Sequence, residues 1–247
     1  MSSFDITVIV TAHDETVVSG PTMRSAESAI IAAEARGFGV ERLIAMDGPT
    51  AECRDYFSQT KFYKWKMIEY DFCDPYRTRN ASVEAARGRW IAFLDADDLF
   101  SENWLMLGGE RMAQAEKDGE KAIVHPEINW IFDGAHSVSV KPEQEEEYFT
   151  PYYFYFANYY AMLCMAPRRA VLEIPYGFRD LESGFGYQDW QWNIETMAAG
   201  WRHVVARDTI IFVRRRDMSI SVENRQRKTV IRSLEPMAID RVGKLAH

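Results

Sequence analysis

Strand and helix patterns alternate along the first half of this 247-residue chain. Short runs of apolar residues predict four strands, at 6–10, 43–46, 65–70 and 90–94. The first, which is β-branched, and the fourth, which is rich in large apolar side chains, are predicted to be buried. Amphipathic patterns between and after these runs predict four helices, at 22–35, 49–57, 79–87 and 102–117. This order predicts an α/β fold with a doubly wound, mixed but mostly parallel sheet.

The fourth strand pattern ends in acidic residues, Asp95, Asp97 and Asp98, with Ala96 between the first two. Open α/β sheets bind their ligands at the carboxyl ends of strands. Three neighbouring carboxylates repel one another and lose hydration if they are buried without a partner. A divalent cation relieves that cost, and Mg²⁺ is commonly held by one or two carboxylates plus substrate phosphates. The segment predicts a metal–diphosphate site; a solvated Asp-rich turn before the next helix is the alternative.

The second half of the chain is less regular. Two strands are predicted at 121–125 and 128–132, on either side of a turn at Pro126 and Glu127. The polar segment 133–147, with four glutamates, is predicted to be a mobile, solvated loop. Nine aromatic residues follow within 148–160. Their density suits a sugar acceptor or a protein interface, although packing beneath the sheet is expected to account for most of them.

Charge is distributed unevenly. The net charge is −8, yet the last 36 residues, 212–247, carry nine Lys and Arg against four acids. The acidic remainder argues against a nucleic-acid partner. The basic tail fits a substrate phosphate, an anionic membrane surface or a solvated face. Three widely spaced cysteines, no signal-peptide pattern at the N-terminus and no long apolar run predict a cytoplasmic protein, with peripheral contact to the inner membrane face left open.

Several of these segments, taken in order, resemble the inverting family 2 glycosyltransferases of the GT-A fold. They are the helix start at Arg79-Asn80, the helix end at 85–88, the apolar strand and the Asp-Ala-Asp-Asp run. The resemblance implies a single GT-A domain over 1–211, with a nucleotide and metal half at about 1–125 and an acceptor half at about 126–211. The basic tail, 212–247, is expected to belong to the same domain.

The resemblance also implies an activity. It is metal-dependent, inverting transfer of a sugar from a nucleoside diphosphate to a hydroxyl, with Mn²⁺ or Mg²⁺ as the cofactor. A UDP-sugar is the favoured donor, and a glycan or glycolipid is the expected acceptor, in surface polysaccharide or glycolipid synthesis.

The same resemblance assigns a donor-binding set to the ends of the first strands. The residues assigned to the nucleotide are Thr11, Ala12, His13, Glu15, Asp47, Arg79, Asp95 and Ala96. Asp97 is the expected chief metal ligand, with Asp95 beside it. His13 stands where relatives usually have a tyrosine. For Asp47, turn or cap chemistry is the alternative.

A later segment carries the expected general base. Glycines at 184 and 186 precede an acid that opens an aromatic-rich helix, and Asp189 matches the catalytic Asp of the family. An N-cap role is the alternative. The family's preceding Glu is Gln188 here, and a neutral amide should lower the pKa of Asp189 slightly by removing a like charge. Gln188, Trp190 and Tyr159 are the expected acceptor contacts.

The late segment around 212–221 resembles the family's Arg-x-His region, with arginine in place of the histidine. Arginine cannot ligate a cation, but it can clamp phosphate oxygens through two N–H groups. Arg214 and Arg216 are therefore the expected diphosphate contacts. His125 and His203 are interpreted as structural.

Two other functions stay open. A non-catalytic carbohydrate-binding or scaffold protein could keep this fold, and Gln188 and the aromatic run are compatible with it. A sugar-phosphate nucleotidyltransferase is less favoured, because it needs a Gly-rich, basic loop after the first strand, where this chain has His13, Asp14 and Glu15. The chain has neither a G-x-G-x-x-G nor a Walker lysine motif.

Overall fold

Four parallel strands form one side of the sheet, and each corresponds to one of the four predicted strands. They are β1 (Phe4–Ala12), β2 (Val40–Asp47), β3 (Lys66–Tyr70) and β4 (Gly88–Asp95). Their spatial order is β3-β2-β1-β4, with β1 paired in parallel to both β2 and β4. The residues from 90 to 94 are almost fully buried, which explains why this strand reads as an uninterrupted apolar run. The computed structural model describes residues 4–216 and 219–246.

Helices connect these strands and cover the sheet. They are α1 (Ser19–Ala35), α2 (Ala51–Phe57), α3 (Pro75–Ala85) and α4 (Trp104–Lys117). The third begins four residues before its predicted start because Asp74 caps it, accepting hydrogen bonds from the backbone N–H groups of Tyr76 and Arg77. Pro75 takes the first helical position, where a missing N–H costs nothing.

The other half of the sheet has five strands: β5 (Leu99–Phe100), β6 (Ala122–Asp133), β7 (Ser137–Val140), β8 (Met165–Pro167) and β9 (Arg202–Arg215). The predicted turn at Pro126 and Glu127 is wrong. β6 runs through it as one strand, and the register against β9 merely shifts between Pro126 and Ile128. Such a bulge accommodates a proline without ending the strand. β5, β7 and β8 run antiparallel to their neighbours, so the sheet is mixed, with mostly parallel strands as predicted.

The polar segment after β6 is more ordered than its composition indicates. It contains β7, which pairs with β6, and its glutamates contact β9. Glu143 accepts a hydrogen bond from the backbone N–H of Val205, while Glu145 and Glu146 form ion pairs with Arg202 and Arg207. The prediction of a mobile, solvated loop is therefore wrong for this part of the segment.

The chain after β8 completes a single domain. It contributes α5 (Arg168–Glu173), α6 (Gln188–Ala198) and α7 (Ile220–Gln226). A second apolar cluster joins the aromatic run, α6 and the C-terminal segment through Phe149, Phe154, Tyr160, Ile194, Met197, Val242 and Leu245. The aromatic run is mostly not core, however, since five of its nine rings are exposed. The basic tail has no sharp start, because the predicted boundary at residue 212 lies inside β9.

In the described ranges, no helix is long and apolar enough to cross a membrane. Outside those ranges lie residues 1–3, on which the expected absence of a signal peptide depends, and also Asp217, Met218 and His247.

Candidate active site

The carboxyl ends of β1, β2 and β4 meet at one edge of the sheet and bring the predicted donor residues together. Thr11 lies opposite Asp95 in the parallel register, and Ala12 lies opposite Met46, one residue before Asp47. The backbone N–H of Ala96 donates to the carbonyl oxygen of Thr11 at 2.9 Å. Residues far apart in the sequence thus form a continuous rim, as expected for a ligand site of an open α/β sheet.

Asp95 is held by two donors. The Thr11 hydroxyl donates to its Oδ1 at 2.6 Å, and the Arg79 guanidinium donates to the same oxygen. Arg79 itself is only 4% exposed, and its Nε atom has no hydrogen-bond partner among the described residues. One oxygen of Asp95 is thereby committed to the protein, and the buried positive charge of Arg79 is neutralised.

Asp97 forms an ion pair with Arg216. The Arg216 Nε atom lies 2.7 Å from Asp97 Oδ2, and Nη2 of the same guanidinium lies 2.6 Å from Glu15 Oε1. Asp14 is 3.7 Å away on the third nitrogen. Burial raises the pKa of Asp97 to about 6, the charge of Asp95 adds to this, and Arg216 opposes it. Three acids thus surround one cationic group.

Asp98 and Arg214 stabilise the turn that carries these acids. The Asp98 carboxylate accepts a hydrogen bond from the backbone N–H of Arg214 at 2.7 Å, and burial raises its pKa. The Arg214 side chain donates to the carbonyl oxygen of Asp97 at 3.2 Å and to Asp133 Oδ2 at 2.5 Å. Arg214, one of the two predicted diphosphate arginines, thus joins β9 to the turn and to β6.

The segment after β2 is organised by Asp47. Its carboxylate accepts backbone hydrogen bonds from Phe72, Cys73 and Asp74, at 2.7, 3.0 and 2.9 Å. Its carbonyl oxygen lies 2.6 Å from His13 Nδ1. Asp47 therefore stabilises the turn at 72–74 and contacts His13 through its carbonyl oxygen. Turn chemistry was the alternative that the sequence left open for Asp47.

Asp189 lies in the first turn of α6, after Tyr187 in a left-handed backbone conformation. Asn158 Nδ2 donates to Asp189 Oδ2 at 3.3 Å. Burial raises the pKa of Asp189, while nearby backbone N–H groups, the charge of Arg79 and the Asn158 hydrogen bond lower it. The charge of Arg79, which pairs with Asp95, therefore also acts on the predicted base.

The three expected acceptor residues differ in their surroundings. Gln188 is buried, its Nε2 donates to the Phe178 carbonyl oxygen at 3.2 Å, and its Oε1 has no partner among the described residues. The buried Nε1 of Trp190 also has none there. Tyr159 instead packs on Phe149 and Tyr153, with its hydroxyl near the Thr150 backbone. Tyr159 therefore belongs to the aromatic cluster.

Two site features were missed by the sequence reading. Asn158, the neighbour of Tyr159, is the residue that contacts the predicted base; a polar side chain within an aromatic run was the available signal. Tyr176 is buried, and its hydroxyl has no hydrogen-bond partner within the described residues. Nothing in the local sequence distinguishes it from other core tyrosines.

A metal site formed by protein ligands alone is not present in the part of the chain that the structure describes. No three His, Cys, Asp or Glu side chains there are arranged to hold an ion. The donor types nevertheless suit a hard cation, since Asp97 and Glu15 offer carboxylate oxygens around a position where a positive group already fits.

The chain is similar to known proteins in sequence and in fold. The sequence model of the family described as "Glycosyl transferase family 2" matches residues 7–171, which include the donor rim but not Asp189 or Arg216. No curated protein matches the chain significantly.

Among solved structures, the crystal structure of S. aureus TarS 1-349 is similar, with a TM-score of 0.59 and 14% identity over 85% of this chain and 60% of that one. TarS 1-349 in complex with UDP-GlcNAc gives a TM-score of 0.59 at 13% identity, over 87% of this chain and 60% of that chain. The complex with UDP gives 0.57 at 13%, over 86% and 61%. This chain therefore spans about three fifths of those structures. At such identities the likeness shows the shared fold alone.

Proposed function

This chain belongs to glycosyl transferase family 2, and from that premise we propose that it transfers a sugar from a nucleoside-diphosphate donor to a hydroxyl acceptor. The observation that carries the proposal is the pairing of acids and arginines at the carboxyl edge of the sheet. Asp95 with Arg79 and Asp97 with Arg216 give a site that combines oxygen ligands for a cation with donors for phosphate. Both are needed to neutralise a departing diphosphate.

A divalent cation fits this arrangement. Asp97, with Asp95 beside it, would hold Mn²⁺ or Mg²⁺, and Glu15 joins them because it faces the same guanidinium. The cation, when bound, supplies Lewis-acid stabilisation of the leaving diphosphate. Arg216 adds a planar cationic group that can hold phosphate oxygens through two N–H groups. Arg79, which is buried, forms an ion pair with Asp95 and holds that carboxylate in place.

Asp189 is the proposed general base. Its carboxylate takes the proton from an acceptor hydroxyl as the hydroxyl oxygen bonds to the anomeric carbon of the donor. The bond between that carbon and the diphosphate oxygen breaks in the same displacement, so the configuration inverts. Asn158 donates a hydrogen bond to the carboxylate, and burial raises its pKa, which strengthens it as a base.

UDP is the proposed nucleotide. The support is the fold shared with TarS, whose structures include complexes with UDP and UDP-GlcNAc. The rim from Thr11 to Glu15, together with His13 on its Asp47 support, is the proposed base and ribose wall. A glycan or glycolipid hydroxyl, in surface polysaccharide or glycolipid synthesis, is the proposed acceptor, and Gln188 and Trp190 are its proposed contacts.

We also propose that different parts of the chain bind different ligands. Residues 1–125 would bind nucleotide and metal, and residues 126–211 would bind the acceptor. The tail from 212 would serve the donor half, since Arg216 reaches Asp97 and Glu15 there.

A nucleotide-binding screen tests the proposal. UDP, GDP, dTDP and CMP would each be titrated calorimetrically into the protein, with and without Mn²⁺ or Mg²⁺. We expect selective binding of UDP that strengthens with metal and weakens in Asp97→Asn. Asp118→Asn is the matched control, because Asp118 lies on the surface at the end of α4. If no nucleoside diphosphate binds in a metal-dependent way, the metal-dependent transferase is excluded and the scaffold alternative is favoured.

A further inference from the structure

A cavity lies at the other end of the sheet from the candidate active site. Its volume is about 880 Å³, and Gly88, the first residue of β4, lines it. The active-site acid Asp95 is the last residue of the same strand. A strand of this length separates the two by about 23 Å, from a rise of about 3.3 Å per residue. The end of α4 and the junction of β8 with α5 complete the walls.

The cavity is rich in arginine. Its lining includes four arginines, and its acids are Glu116 and Glu120. Both acids are already paired, Glu116 with Arg89 and Glu120 with Arg202. Of the remaining arginines, Arg87 is paired with Glu41. The two lining acids are thus paired with Arg89 and Arg202, and their charge is neutralised without the other lining arginines.

Arg168 and Arg169 are the two lining arginines without an ion pair among the described residues. Arg168 is instead fixed by neutral acceptors, donating to the carbonyl oxygens of Val83 and Glu84 at 2.9 Å each. The Arg169 guanidinium lies 5.1 Å from the ring centroid of Trp201. Carbonyl oxygens and a ring face position these guanidiniums without cancelling their charge. They are therefore oriented in advance for an external anion.

We propose that this cavity, here named the arginine cavity, binds a phosphate group through Arg168 and Arg169. Two guanidiniums that line the same cavity match the charge of a phosphate monoester, roughly −1.5 to −2 near neutral pH, and their planar N–H groups suit its oxygens. The cavity volume leaves room for the rest of a phosphorylated molecule. The phosphate could belong to a soluble molecule or to a lipid headgroup. The site is separate from the transferase chemistry and does not depend on it.

Inorganic phosphate at low ionic strength is the first probe, followed by calorimetry. The test variant is Arg168→Gln with Arg169→Gln, because glutamine can still donate to the carbonyl oxygens that hold Arg168. We expect its phosphate affinity to fall by about tenfold or more, since charge-assisted hydrogen bonds are lost. The control is Arg36→Gln with Arg227→Gln, which removes the same charge from exposed positions elsewhere. Added salt should weaken wild-type binding.

Two further measurements separate the possible outcomes. UDP binding by the double variant reports the folded state and the active site, so its retention shows that the loss concerns the arginine cavity alone. Sedimentation with vesicles of phosphatidic acid or phosphatidylcholine identifies the source of the phosphate group. Capture of the protein by phosphatidic acid vesicles alone, lost in the double variant, indicates a lipid headgroup. Binding of free phosphate without capture by vesicles indicates a soluble ligand. Equal phosphate affinity in the wild type and the double variant would overturn the proposal, whatever the result for UDP.

Discussion

Arg216 holds Asp97 with its Nε atom 2.7 Å from the carboxylate oxygen Oδ2. The two residues are more than a hundred positions apart, and the contact joins the end of β9 to the turn after β4. Nη2 of the same guanidinium reaches Glu15, so a single side chain neutralises acids from two loops of the donor rim. When a cation and a diphosphate enter, this guanidinium can exchange its carboxylate partners for phosphate oxygens.

Arg216→Ala should separate those two roles. With the guanidinium gone, Mn²⁺ alone is expected to bind more tightly, because the competing positive group no longer occupies the carboxylates. UDP in the presence of Mn²⁺ is expected to bind about tenfold more weakly or worse, because a charged hydrogen bond to phosphate is lost. Calorimetry of both ligands measures the two effects.

The neighbouring Arg215→Ala is the matched control, since it removes the same charge at the last residue of β9. Unchanged UDP affinity in Arg216→Ala would exclude Arg216 as a diphosphate contact.

Gln188→Glu should change the pH dependence of turnover. A second carboxylate beside Asp189 disfavours ionisation of the pair, so the pKa of the base rises further above its usual range. The base must be ionised to accept a proton, and the acid limb of the kcat/KM profile is therefore expected to move to higher pH. Gln191→Glu, one turn along α6, adds the same charge as a control. An acid limb that stays in place would show that the ionisation of Asp189 does not govern turnover.

The buried pair His125 and His203 should make the fold acid-sensitive. His125 Nε2 lies 2.8 Å from His203 Nδ1, and His203 Nε2 lies 3.0 Å from the Thr196 hydroxyl. Burial lowers the pKa of His203 from 6.5 to about 3. The unfolded chain therefore binds a proton that the folded chain does not, and stability is lost as pH falls from 6.5 toward 3. Between pH 7 and pH 5 this residue alone should lower the free energy of unfolding by about 2 kcal/mol.

Urea unfolding at the two pH values measures that loss. His203→Gln should show a smaller loss between pH 7 and pH 5, whatever its stability at pH 7. His136→Gln, at an exposed position, should behave as the wild type does. An equal pH dependence in His203→Gln would contradict the expected role of this histidine.

The sequence predicted the four strands in the first half of the chain. The residues of β1, β2 and β4 are mostly buried and give apolar runs, whereas β3, at the edge of the sheet, is mostly exposed. The sequence was wrong about Pro126, since a proline signals a turn and only the pairing of β6 with β9 shows that a bulge accommodates it. It was also wrong about the glutamates after residue 142, because composition does not show that their partners are on β9. The family resemblance predicts roles for Asp97 and Asp189, but it could not show the contact of Arg216 with Asp97 and Glu15, which depends on where β9 ends.

Inverting sugar transfer with Asp189 as the general base is tested by UDP release from UDP-GlcNAc, measured with Mn²⁺ for the wild type and for Asp189→Asn. UDP affinity is determined on the same preparations. We expect the wild type to release UDP and to give a sugar product of inverted anomeric configuration by NMR. Asp189→Asn should bind UDP as the wild type does but turn over about 10²- to 10⁴-fold more slowly, the usual contribution of a general base. Equal turnover by the two proteins would show that Asp189 is not the general base, and a product of retained configuration would exclude an inverting displacement.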